Sequence, residues 1–479
     1  MVGITSYGAY VPWRRISRKI ISNATGWLNP AGALPGEKAV ANYDEDSLTM
    51  SVAAALNCLN GFGRDAVDGL YLATCSAPYA ERQNATIAAT ALDLRSDIRT
   101  SDFTDSVRAG TGALLAACDT VKAGSSKCLL VCAADCRLGA SSGLSEQALG
   151  DGAGALLVGD TNVIASLEGA YSVSYDFMDV WRTSDDTFVR SWEDRWIREE
   201  GYTKFIPEAI SGLLNKYGLN IKDFAKVVYP CLYAREHAVI GKKLGAEPSQ
   251  IQENMSAAAG NTGAAYPFML LIAALEDAKP GDKILVASYG NGSDAMFFQV
   301  TEEIEKLGER RATKKYLSSK TDLMSYEKYM HFRRMMHVEK TGRADLPFTA
   351  ISARWRERDW ILSLVGSKCK RCGTPQYPSQ RICVKPGCGA VDEMEPYCFS
   401  DKKARLFTYT GDNLAPCDDP PQVYGLVDFE VGGRSLFDMT DCVLEDVRVG
   451  MPVEMSFRKV YSDPERGIHN YWWKAAPPR

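Results

Sequence analysis

The sequence has few histidines and no surplus of positive charge. Its 479 residues include four His, and 55 Lys and Arg against 60 Asp and Glu give a formal net charge of −5. Proteins that bind nucleic acid hold its phosphates with clustered Lys and Arg. We therefore expect no nucleic-acid partner. A mechanism that uses a histidine as its general base also has only four candidate residues.

The sequence also lacks a membrane-spanning segment and a secretory signal. No apolar stretch reaches the roughly 18 residues that a helix needs to cross a bilayer. The opening segment, MVGITSYGAYVPWRR, has no positively charged start followed by an apolar run. We therefore expect a cytoplasmic protein with no membrane partner. In that setting the 14 cysteines are expected to be free thiols or metal ligands.

Two segments of the chain resemble each other. Residues 109–131 read AGTGALLAACDTVKAGSSKCLLV, and residues 260–286 read GNTGAAYPFMLLIAALEDAKPGDKILV. Each has a small-residue turn with Thr, an apolar helix, a Lys-X-Gly turn and a buried strand, followed by a glycine turn and another strand. Continuous apolar strands suit a sheet that is covered on both faces. The pattern predicts a layered α/β architecture built from two copies of one unit.

Changes in composition divide the chain further. The repeat places the two α/β halves at 1–165 and 166–305. Residues 306–352 are rich in Lys and Arg and poor in small apolar residues, which predicts a basic, solvated linker. An amphipathic helix and a cysteine-rich stretch occupy 353–392. Segment 393–479 shows short strand patterns with glycine or acidic turns, and its length suits an OB-fold barrel.

Four cysteines have the spacing of a zinc ribbon. Cys369 and Cys372 form one close pair, and Cys383 and Cys388 form a second pair after ten intervening residues. Two such pairs on tight turns can place four thiolates at the corners of a tetrahedron. A complete four-sulfur shell leaves no open position. We therefore expect a structural zinc that stabilises a small module with little core of its own.

These features together resemble a known family. The duplicated part resembles the thiolase superfamily, closest to its hydroxymethylglutaryl-CoA synthase and ketoacyl synthase III branch, through ALDLRSDIRTSDF, GNTGAA and EDAKPGDKILVASYGNGSDA. The remainder resembles the zinc-ribbon plus OB-fold family that accompanies thiolase-like enzymes. The resemblance implies a duplicated five-layered αβαβα fold, followed by a rubredoxin-like ribbon and an OB-fold β-barrel. It also implies a coenzyme A thioester as substrate and a homodimer through the thiolase domain.

The resemblance assigns site positions residue by residue. Asn261 in GNTG matches the family's catalytic Asn, and Gly290 and Gly292 match the loop that closes the substrate site. The family's nucleophilic Cys stands at the start of the first buried helix, but this sequence has Val107 there, next to Ser106. We therefore expect Val107, Gly290 and Gly292 to contact the substrate, and we expect no cysteine nucleophile at this position.

The other two catalytic positions of the family are also filled differently. Its His position falls on Pro230 or Cys231, and its Glu position falls on Cys75. Ser106 would need an adjacent base to act as a nucleophile. His237 is the histidine nearest a predicted site element, and it could face the site or lie on a helix surface. Acyl transfer by a Cys, a His and a Glu is therefore not expected.

Enolate-stabilising groups remain in the sequence. Asn261 and helix N-terminal amides can stabilise a thioester enolate without a covalent step. Thiolase-like aldolases that lack the nucleophilic Cys use a tyrosine as acid/base, which implies Tyr233 or Tyr79 here, with Cys75 and Cys231 as thiol alternatives. We predict aldol or retro-aldol chemistry on a 3-hydroxyacyl-CoA. Two alternatives stay open: a hydroxymethylglutaryl-CoA synthase-type acyltransferase with a displaced cysteine, and a non-catalytic scaffold or channelling subunit of a thiolase complex.

Overall fold

In a computed structural model of the protein, the apolar segments predicted as buried strands lie in one large mixed sheet. The structure describes residues 1–30, 32–339 and 350–479. Contacts along the chain group these residues into two units. The first unit comprises Met1–Asn42, Asp46–Thr86 and Asp97–Arg333, and the second comprises Tyr43–Glu45, Ile87–Ser96 and Arg334–Arg479.

The described chain before residue 340 alternates strands and helices. The strands are β1 (Gly3–Tyr10), β2 (Arg14–Ser17), β3 (Glu37–Val40), β4 (Gly69–Ala73), β5 (Arg99–Phe103), β6 (Cys128–Asp135), β7 (Gly152–Gly159), β8 (Ala165–Ser174), β9 (Val180–Trp181), β10 (Arg190–Ser191), β11 (Lys226–Val228), β12 (Lys283–Ala287), β13 (Gly292–Val300) and β14 (Thr321–Asp322). The helices are α1 (Arg18–Thr25), α2 (Ser47–Cys58), α3 (Asn84–Ala91), α4 (Ala109–Lys122), α5 (Leu144–Ala148), α6 (Asp194–Trp196), α7 (Thr203–Tyr217), α8 (Ala234–Leu244), α9 (Tyr266–Leu275), α10 (Thr313–Ser318) and α11 (Tyr326–Phe332).

The large sheet shows the duplication directly. Its strand order is β11-β12-β13-β8-β1-β7-β6-β4-β5. Strand β1 pairs with β7 along nearly its whole length, from Gly3 to Tyr10, but pairs with β8 only at Gly3 and Ile4. Strands β6 and β12, predicted as buried from KCLLVCAAD and KILVASY, hold equivalent places in the two halves and are buried beyond their first residue. The predicted α/β duplication is confirmed.

The two repeated helices meet between the halves of the sheet. Every residue of α9 is buried, as is typical of a helix that is apolar on all sides. Gly110 in the first turn of α4 approaches the turn before α9 so closely that a Cβ atom would lie 2.4 Å from the Ala264 carbonyl oxygen. This contact requires glycine and brings the two repeated turns together.

The segment predicted as a linker at 306–352 is partly folded. It contains α10, β14 and α11, and β14 pairs in parallel with β2. Tyr316, Tyr329 and Phe332 are buried, and the Lys38 ammonium group lies 4.7 Å from the centroid of the Tyr329 ring. The burial of these aromatic side chains outweighs the basic composition of the segment. Residues 340–349 of the predicted linker lie outside the described residues.

The second unit contains a small ribbon and a five-stranded barrel. Sheets β16-β15-β17 and β20-β19-β18-β21-β22 form these two parts. Residues along β19 alternate between buried and half-buried, as expected for a barrel strand, and a bridge between Met439 and Ala475 links the two ends of the strand order. The predicted ribbon and OB-fold are confirmed. The elements are α12 (Ile351–Arg356), α13 (Arg358–Ser363), β15 (Val365–Cys369), β16 (Pro375–Gln376), β17 (Met394–Cys398), β18 (Ala404–Asp412), β19 (Gln422–Phe429), β20 (Arg434–Asp438), β21 (Pro452–Asp463) and β22 (Ile468–Ala476).

The helices are short relative to a lipid bilayer. Across the described residues, none combines the length and the apolar character required to cross a membrane.

Candidate active site

A cavity of about 500 Å³ lies in the first unit and takes side chains from both duplicated halves. The structure brings most of the predicted site residues together here, whereas Cys231, His237 and Gly292 are outside the described lining. The predicted residues that line the cavity are Cys75, Tyr79, Ser106, Val107, Tyr233, Asn261 and Gly290.

Val107 and Ser106 lie at the start of α4, facing the loop that contains Gly290. The Ser106 Oγ accepts a hydrogen bond from the Arg108 N–H at 3.2 Å. Gly290 has φ +156°, and a Cβ atom there would lie 2.9 Å from both Ser106 Oγ and Val107 Cγ2. The loop therefore closes directly over Ser106 and Val107.

The structure offers Ser106 no histidine base. No histidine is found among the described residues that line the cavity. His237 lies in α8 with its ring centroid 4.5 Å from that of Tyr229, and burial lowers the pKa of His237 to about 4. Of the two placements open for His237, the structure shows the ring packed against Tyr229 and outside the described cavity lining. Among the described residues of the cavity lining, Ser106 therefore has no histidine beside it that could act as its base.

Asp135, at the carboxyl end of β6, connects the two loops that carry the site. Its Oδ1 accepts hydrogen bonds from Thr74 Oγ1 at 3.0 Å, the Cys75 N–H at 2.8 Å and Ser76 Oγ at 2.8 Å. Its Oδ2 accepts from the Ala264 N–H at 2.8 Å. This fully buried carboxylate thus fixes the Cys75 loop against the GNTG loop.

Asn261 is held in place by its own loop. Its Oδ1 accepts a hydrogen bond from the Gly263 N–H at 2.9 Å, and its backbone N–H donates to the Ala148 carbonyl at 2.8 Å. With the side-chain oxygen engaged by the backbone, the Nδ2 group is the remaining donor of this amide. Asn261 can therefore donate a hydrogen bond to an oxygen atom in the cavity.

The pKa values of the two candidate cysteine thiols are both raised. Burial, together with the negative charge of Asp135, raises the pKa of Cys75 far above its usual value. Burial raises the pKa of Cys231 to about 12, and its Sγ lies 3.4 Å from the Tyr233 carbonyl oxygen. The thiolate is the nucleophilic form of cysteine, and burial disfavours this form at both positions.

Two tyrosines in the cavity wall donate to carboxylates. The Tyr289 hydroxyl donates to Asp179 Oδ2 at 2.6 Å, and the Tyr233 hydroxyl donates to Asp194. The Tyr202 ring stacks on Tyr289 with centroids 3.9 Å apart. Burial raises the pKa of the Tyr289 and Tyr233 hydroxyls, and it also raises the pKa of the Asp179 carboxyl. Such pairs can pass a proton between a substrate and a buried carboxylate.

The sequence reasoning missed several of these polar residues. Tyr289 directly precedes Gly290 in SYGNG, Asp135 is the last residue of the predicted strand KCLLVCAAD, and Arg137 follows that strand, so position at or next to a predicted site element was an available signal. Asp179 and Tyr202 lie in segments without a recognisable motif. The missed residues that line the cavity are Arg137, Asp179, Asp194, Tyr202 and Tyr289.

The four ribbon cysteines form a second candidate site, in the second unit. Their sulfur atoms all lie within 4.8 Å of one another. The Cys369 and Cys388 sulfurs are 3.8 Å apart and the Cys372 and Cys383 sulfurs are 3.5 Å apart. A tetrahedral zinc with Zn–S bonds of about 2.3 Å requires sulfur atoms about 3.8 Å apart. The donor set and its spacing therefore fit zinc.

Family profiles match two parts of the chain. Residues 214–298 match the profile described as 3-Oxoacyl-[acyl-carrier-protein (ACP)] synthase III C terminal. Residues 399–458 match the profile described as ChsH2, C-terminal OB-fold domain. The first match lies in the second duplicated half, and the second lies in the barrel.

Several known proteins are similar to this chain over nearly their own whole length. The chain is 34% identical to the hydroxymethylglutaryl-CoA synthase of Methanopyrus kandleri over 319 residues, which is 64% of this chain and 90% of the relative. It is 31% identical to that of Methanocaldococcus jannaschii over 348 residues, 71% of this chain and 100% of the relative. An HMG-CoA synthase complexed with CoA gives a TM-score of 0.61 at 18% identity, covering 73% of this chain and 94% of that chain. The 3-oxoacyl-[acyl-carrier-protein] synthase III of Aquifex aeolicus gives 0.55 at 19% identity, covering 62% and 100%. The thiolase-type fold is thereby confirmed.

Proposed function

We propose a reaction for this chain from one premise: it belongs to the hydroxymethylglutaryl-CoA synthase family. We infer that it makes or breaks a carbon–carbon bond of a CoA thioester by aldol or retro-aldol chemistry, without an acyl-enzyme. The observation that carries this proposal is Val107 at the start of α4, where a cysteine nucleophile is expected. This position lies in the same cavity as Asn261 and the pair of Tyr289 with Asp179.

A 3-hydroxyacyl-CoA is the proposed substrate. The relatives are named for a CoA thioester, and a synthase of similar fold was solved with CoA. Cleavage between C2 and C3 of such a substrate gives a free aldehyde or ketone and an acyl-CoA enolate. The enzyme then needs one acid/base group and a donor for the enolate oxygen.

Tyr289 and Asp179 are the proposed acid/base pair. The 3-hydroxyl proton passes to Tyr289 Oη as the tyrosine proton passes to Asp179, and the C2–C3 electron pair moves into the enolate. Return of the proton to C2 restores the acyl-CoA. Burial favours this role because it raises the pKa of Asp179 and so increases its affinity for a proton. Tyr233 is less suited, because its partner Asp194 is 42% exposed and forms an ion pair with Arg198 at 3.0 Å.

Asn261 is the proposed donor to the enolate oxygen. Its amide oxygen is engaged with the Gly263 N–H, which supports a fixed orientation of Nδ2. A preorganised donor that needs no reorientation as charge develops lowers the barrier most effectively. In this proposal Asp135 acts only by positioning, since its hydrogen bonds hold the turn that follows Asn261.

The test is release of a free carbonyl compound from a panel of 3-hydroxyacyl-CoA substrates. We expect the wild-type chain to release aldehyde or ketone and acyl-CoA in equal amounts. Tyr289→Phe should reduce kcat at least a hundredfold. Tyr217→Phe is the matched control, because the Tyr217 ring packs on Phe297 outside the described cavity lining. Normal turnover by Tyr289→Phe would exclude the proposed pair.

Acyl transfer through Cys75 is the second candidate, favoured by its place in the cavity wall and by the activity for which the relatives are named. This reaction requires a thiolate, whereas burial raises the pKa of the Cys75 thiol and so disfavours the thiolate. Cys75→Ala should leave carbonyl release intact if the aldol proposal holds. If Cys75→Ala loses both turnover and an acyl adduct that the wild-type chain forms, the result would support acyl transfer. If the wild-type chain turns over substrate only after a second thiolase is added, the result would support a scaffold.

We also propose that Cys369, Cys372, Cys383 and Cys388 hold a structural zinc. Support comes from the sulfur spacing and from the complete set of four thiol ligands, which leaves no open coordination position for a substrate.

A further inference from the structure

A π-helix lies beside the proposed acid/base pair. It spans Ile197–Tyr202, between α6 and α7, and the Thr203 N–H that follows it reaches the Arg198 carbonyl, five residues earlier. Helical turns of this kind are rare and are frequent at functional sites. Tyr202, the last residue of the π-helix, lines the cavity, and its ring stacks on that of Tyr289 with the centroids 3.9 Å apart. The Tyr289 ring therefore packs directly on this turn.

Gly201, inside the π-helix, lies against the Tyr289 hydroxyl. A Cβ atom at Gly201 would lie 2.2 Å from Tyr289 Oη and 3.1 Å from Tyr289 Cζ. The third neighbour, Phe177 Cε1, would lie 3.2 Å away. A side chain at this position would therefore collide with the hydroxyl oxygen far more severely than with the rest of the ring.

The Tyr289 side chain is held on several sides. It is 5% exposed, and its ring is stacked on Tyr202 and also on Phe205, with centroids 6.3 Å apart in the second pair. Its hydroxyl donates to Asp179 Oδ2 at 2.6 Å, and an O–H···O hydrogen bond weakens once the oxygen atoms separate beyond about 3.0 Å. A Cβ atom at position 201 would push the hydroxyl out of the place from which it donates to Asp179.

We infer that Gly201 is a positioning residue for the proposed proton transfer. Because glycine has no side chain, the backbone of the π-helix can approach Tyr289 while the Tyr289 hydroxyl stays within hydrogen-bond distance of Asp179. Gly201 acts through Tyr289 and takes no part in the bond changes itself. The inference rests on the acid/base pair of the proposed function and gives the π-helix a role in that pair's geometry.

Gly201→Ala tests the positioning role through kcat and its pH dependence. We expect kcat for carbonyl release to fall about tenfold to a hundredfold, as misplacing a catalytic group by about 1 Å does, while KM changes less than about threefold. Burial raises the pKa of Asp179, and the hydrogen bond from Tyr289 lowers it, as do the Val180 N–H and the charge of Arg137. Loss of the Tyr289 bond alone should raise this pKa further and move the acidic limb of kcat to higher pH. A wild-type kcat, or a lower kcat with an unmoved limb, would overturn the inference.

Gly212→Ala is the matched control. Gly212 lies in α7 and also meets a tyrosine, since a Cβ atom there would lie 2.3 Å from Tyr171 Cε1. Tyr171 is outside the described cavity lining. The control substitution should lower the thermal midpoint but leave kcat and its acidic limb unchanged. If it lowers kcat as much as Gly201→Ala does, the loss reflects general destabilisation and the positioning role is refuted.

A double-mutant cycle with Tyr289→Phe isolates the contact itself. Alanine normally stabilises a helix interior relative to glycine, so a lower thermal midpoint in Gly201→Ala would report the collision with the hydroxyl. Once the hydroxyl is removed by Tyr289→Phe, Gly201→Ala should lower the midpoint less than half as much and leave the residual turnover unchanged. Equal losses of midpoint in the two backgrounds would refute the contact. Normal turnover by Tyr289→Phe together with unequal losses of midpoint would refute the proposed acid/base pair and leave the steric role of Gly201 intact.

Discussion

At the residue scale, Asp179 connects catalysis to stability. Burial raises the pKa of its carboxyl above the ordinary value of 3.8, so the folded state holds this proton more tightly than the unfolded state does. Ionisation of Asp179 therefore lowers the free energy of unfolding progressively as the pH rises from 3.8 through the raised pKa of the carboxyl. Asp179→Asn should reduce kcat at least a hundredfold and leave the thermal midpoint at neutral pH unchanged or higher. Steady-state kinetics and circular dichroism measure the two effects.

The pH dependence gives a second readout for the same residue. In the wild-type chain, kcat should fall as pH is lowered through the raised pKa of Asp179, because the protonated carboxyl cannot accept the Tyr289 proton. Asp179→Asn should lack this acidic limb. If Asp179→Asn keeps both the wild-type kcat and the fall of kcat at low pH, another group titrates, and the proposed proton transfer from Tyr289 to Asp179 is wrong.

Sequence reasoning at this scale found the residues next to recognisable motifs. Val107, Asn261 and Gly290 follow from GNTG, SYGNG and the start of the first repeated helix. Asp179 could not be identified in the same way. Its place in the cavity depends on which loops the sheet order brings together, and a loop has no periodic pattern from which such proximity could be predicted.

At the element scale, Gly263 allows the turn before α9 to approach the end of β6. It has φ +60°, and a Cβ atom there would lie 2.0 Å from Asp135 Oδ2. Gly263→Ala should therefore reduce the free energy of unfolding by more than about 2 kcal/mol, since steric conflict adds to backbone strain of about 1–2 kcal/mol. Carbonyl release should also fall, because this turn carries Asn261. Denaturant unfolding and turnover provide the measurements.

Gly124 is a matched control for backbone strain alone. It has φ +73°, and a Cβ atom there would meet no other atom within 4 Å. Gly124→Ala should cost about 1 kcal/mol and leave turnover unchanged. Equal destabilisation by the two substitutions would mean that the contact between Gly263 and Asp135 adds nothing to the stability of the site.

The cysteine cluster gives a prediction for the ribbon. Metal analysis should find about one zinc per chain, and Cys369→Ser should remove it because three thiolates bind zinc less tightly than four. The ribbon should then become more susceptible to proteolysis. Cys442→Ser changes a thiol outside the cluster and should retain the zinc. A zinc-free wild-type chain with a protected ribbon would contradict the structural role of the metal.

The elements differ in how far the sequence predicted them. The ribbon was predictable because its four ligands lie close together in sequence, and their spacing nearly determines their geometry. The segment at 306–352 was not, because its folding depends on the burial of Tyr316, Tyr329 and Phe332 against residues far away in the chain. Composition alone indicated a solvated linker there.

At the scale of the whole molecule, buried charges join distant parts of the chain within the second unit. Arg458 is paired with Glu45, with Asp441 at 2.5 Å and with Asp44 at 3.5 Å. Lys474 lies 2.9 Å from Asp44. Removing one partner of such a cluster leaves uncompensated charge in a water-excluded site, which typically costs about 3–5 kcal/mol.

Arg458→Met should therefore destabilise the second unit by about that amount. Hydrogen exchange of the amides in β21 and β22 measures the loss of protection. Arg434→Met removes a surface pair with Asp428, whose side chains are 47% and 37% exposed, and should cost less than about 1 kcal/mol. Similar exchange in both variants would show that the buried cluster contributes no more than a surface pair.

The duplicated architecture was the most predictable property of the whole molecule, because a repeated turn, helix and strand appear twice in the sequence. That architecture does not determine the reaction, because one fold can support different reactions through different site residues. Here the proposed reaction differs from the activity for which the relatives are named, because Val107 stands where we expect a cysteine nucleophile. A valine at this position is compatible with the proposed reaction, because that reaction cleaves the carbon–carbon bond without forming an acyl-enzyme.

The most direct test combines intact-protein mass spectrometry with product analysis during turnover of a 3-hydroxyacyl-CoA. The proposed chemistry predicts a free aldehyde or ketone and an acyl-CoA in equal amounts, while the protein mass stays unchanged throughout. An acyl adduct on Cys75 or Cys231 that forms and decays at the rate of turnover would contradict the proposed mechanism.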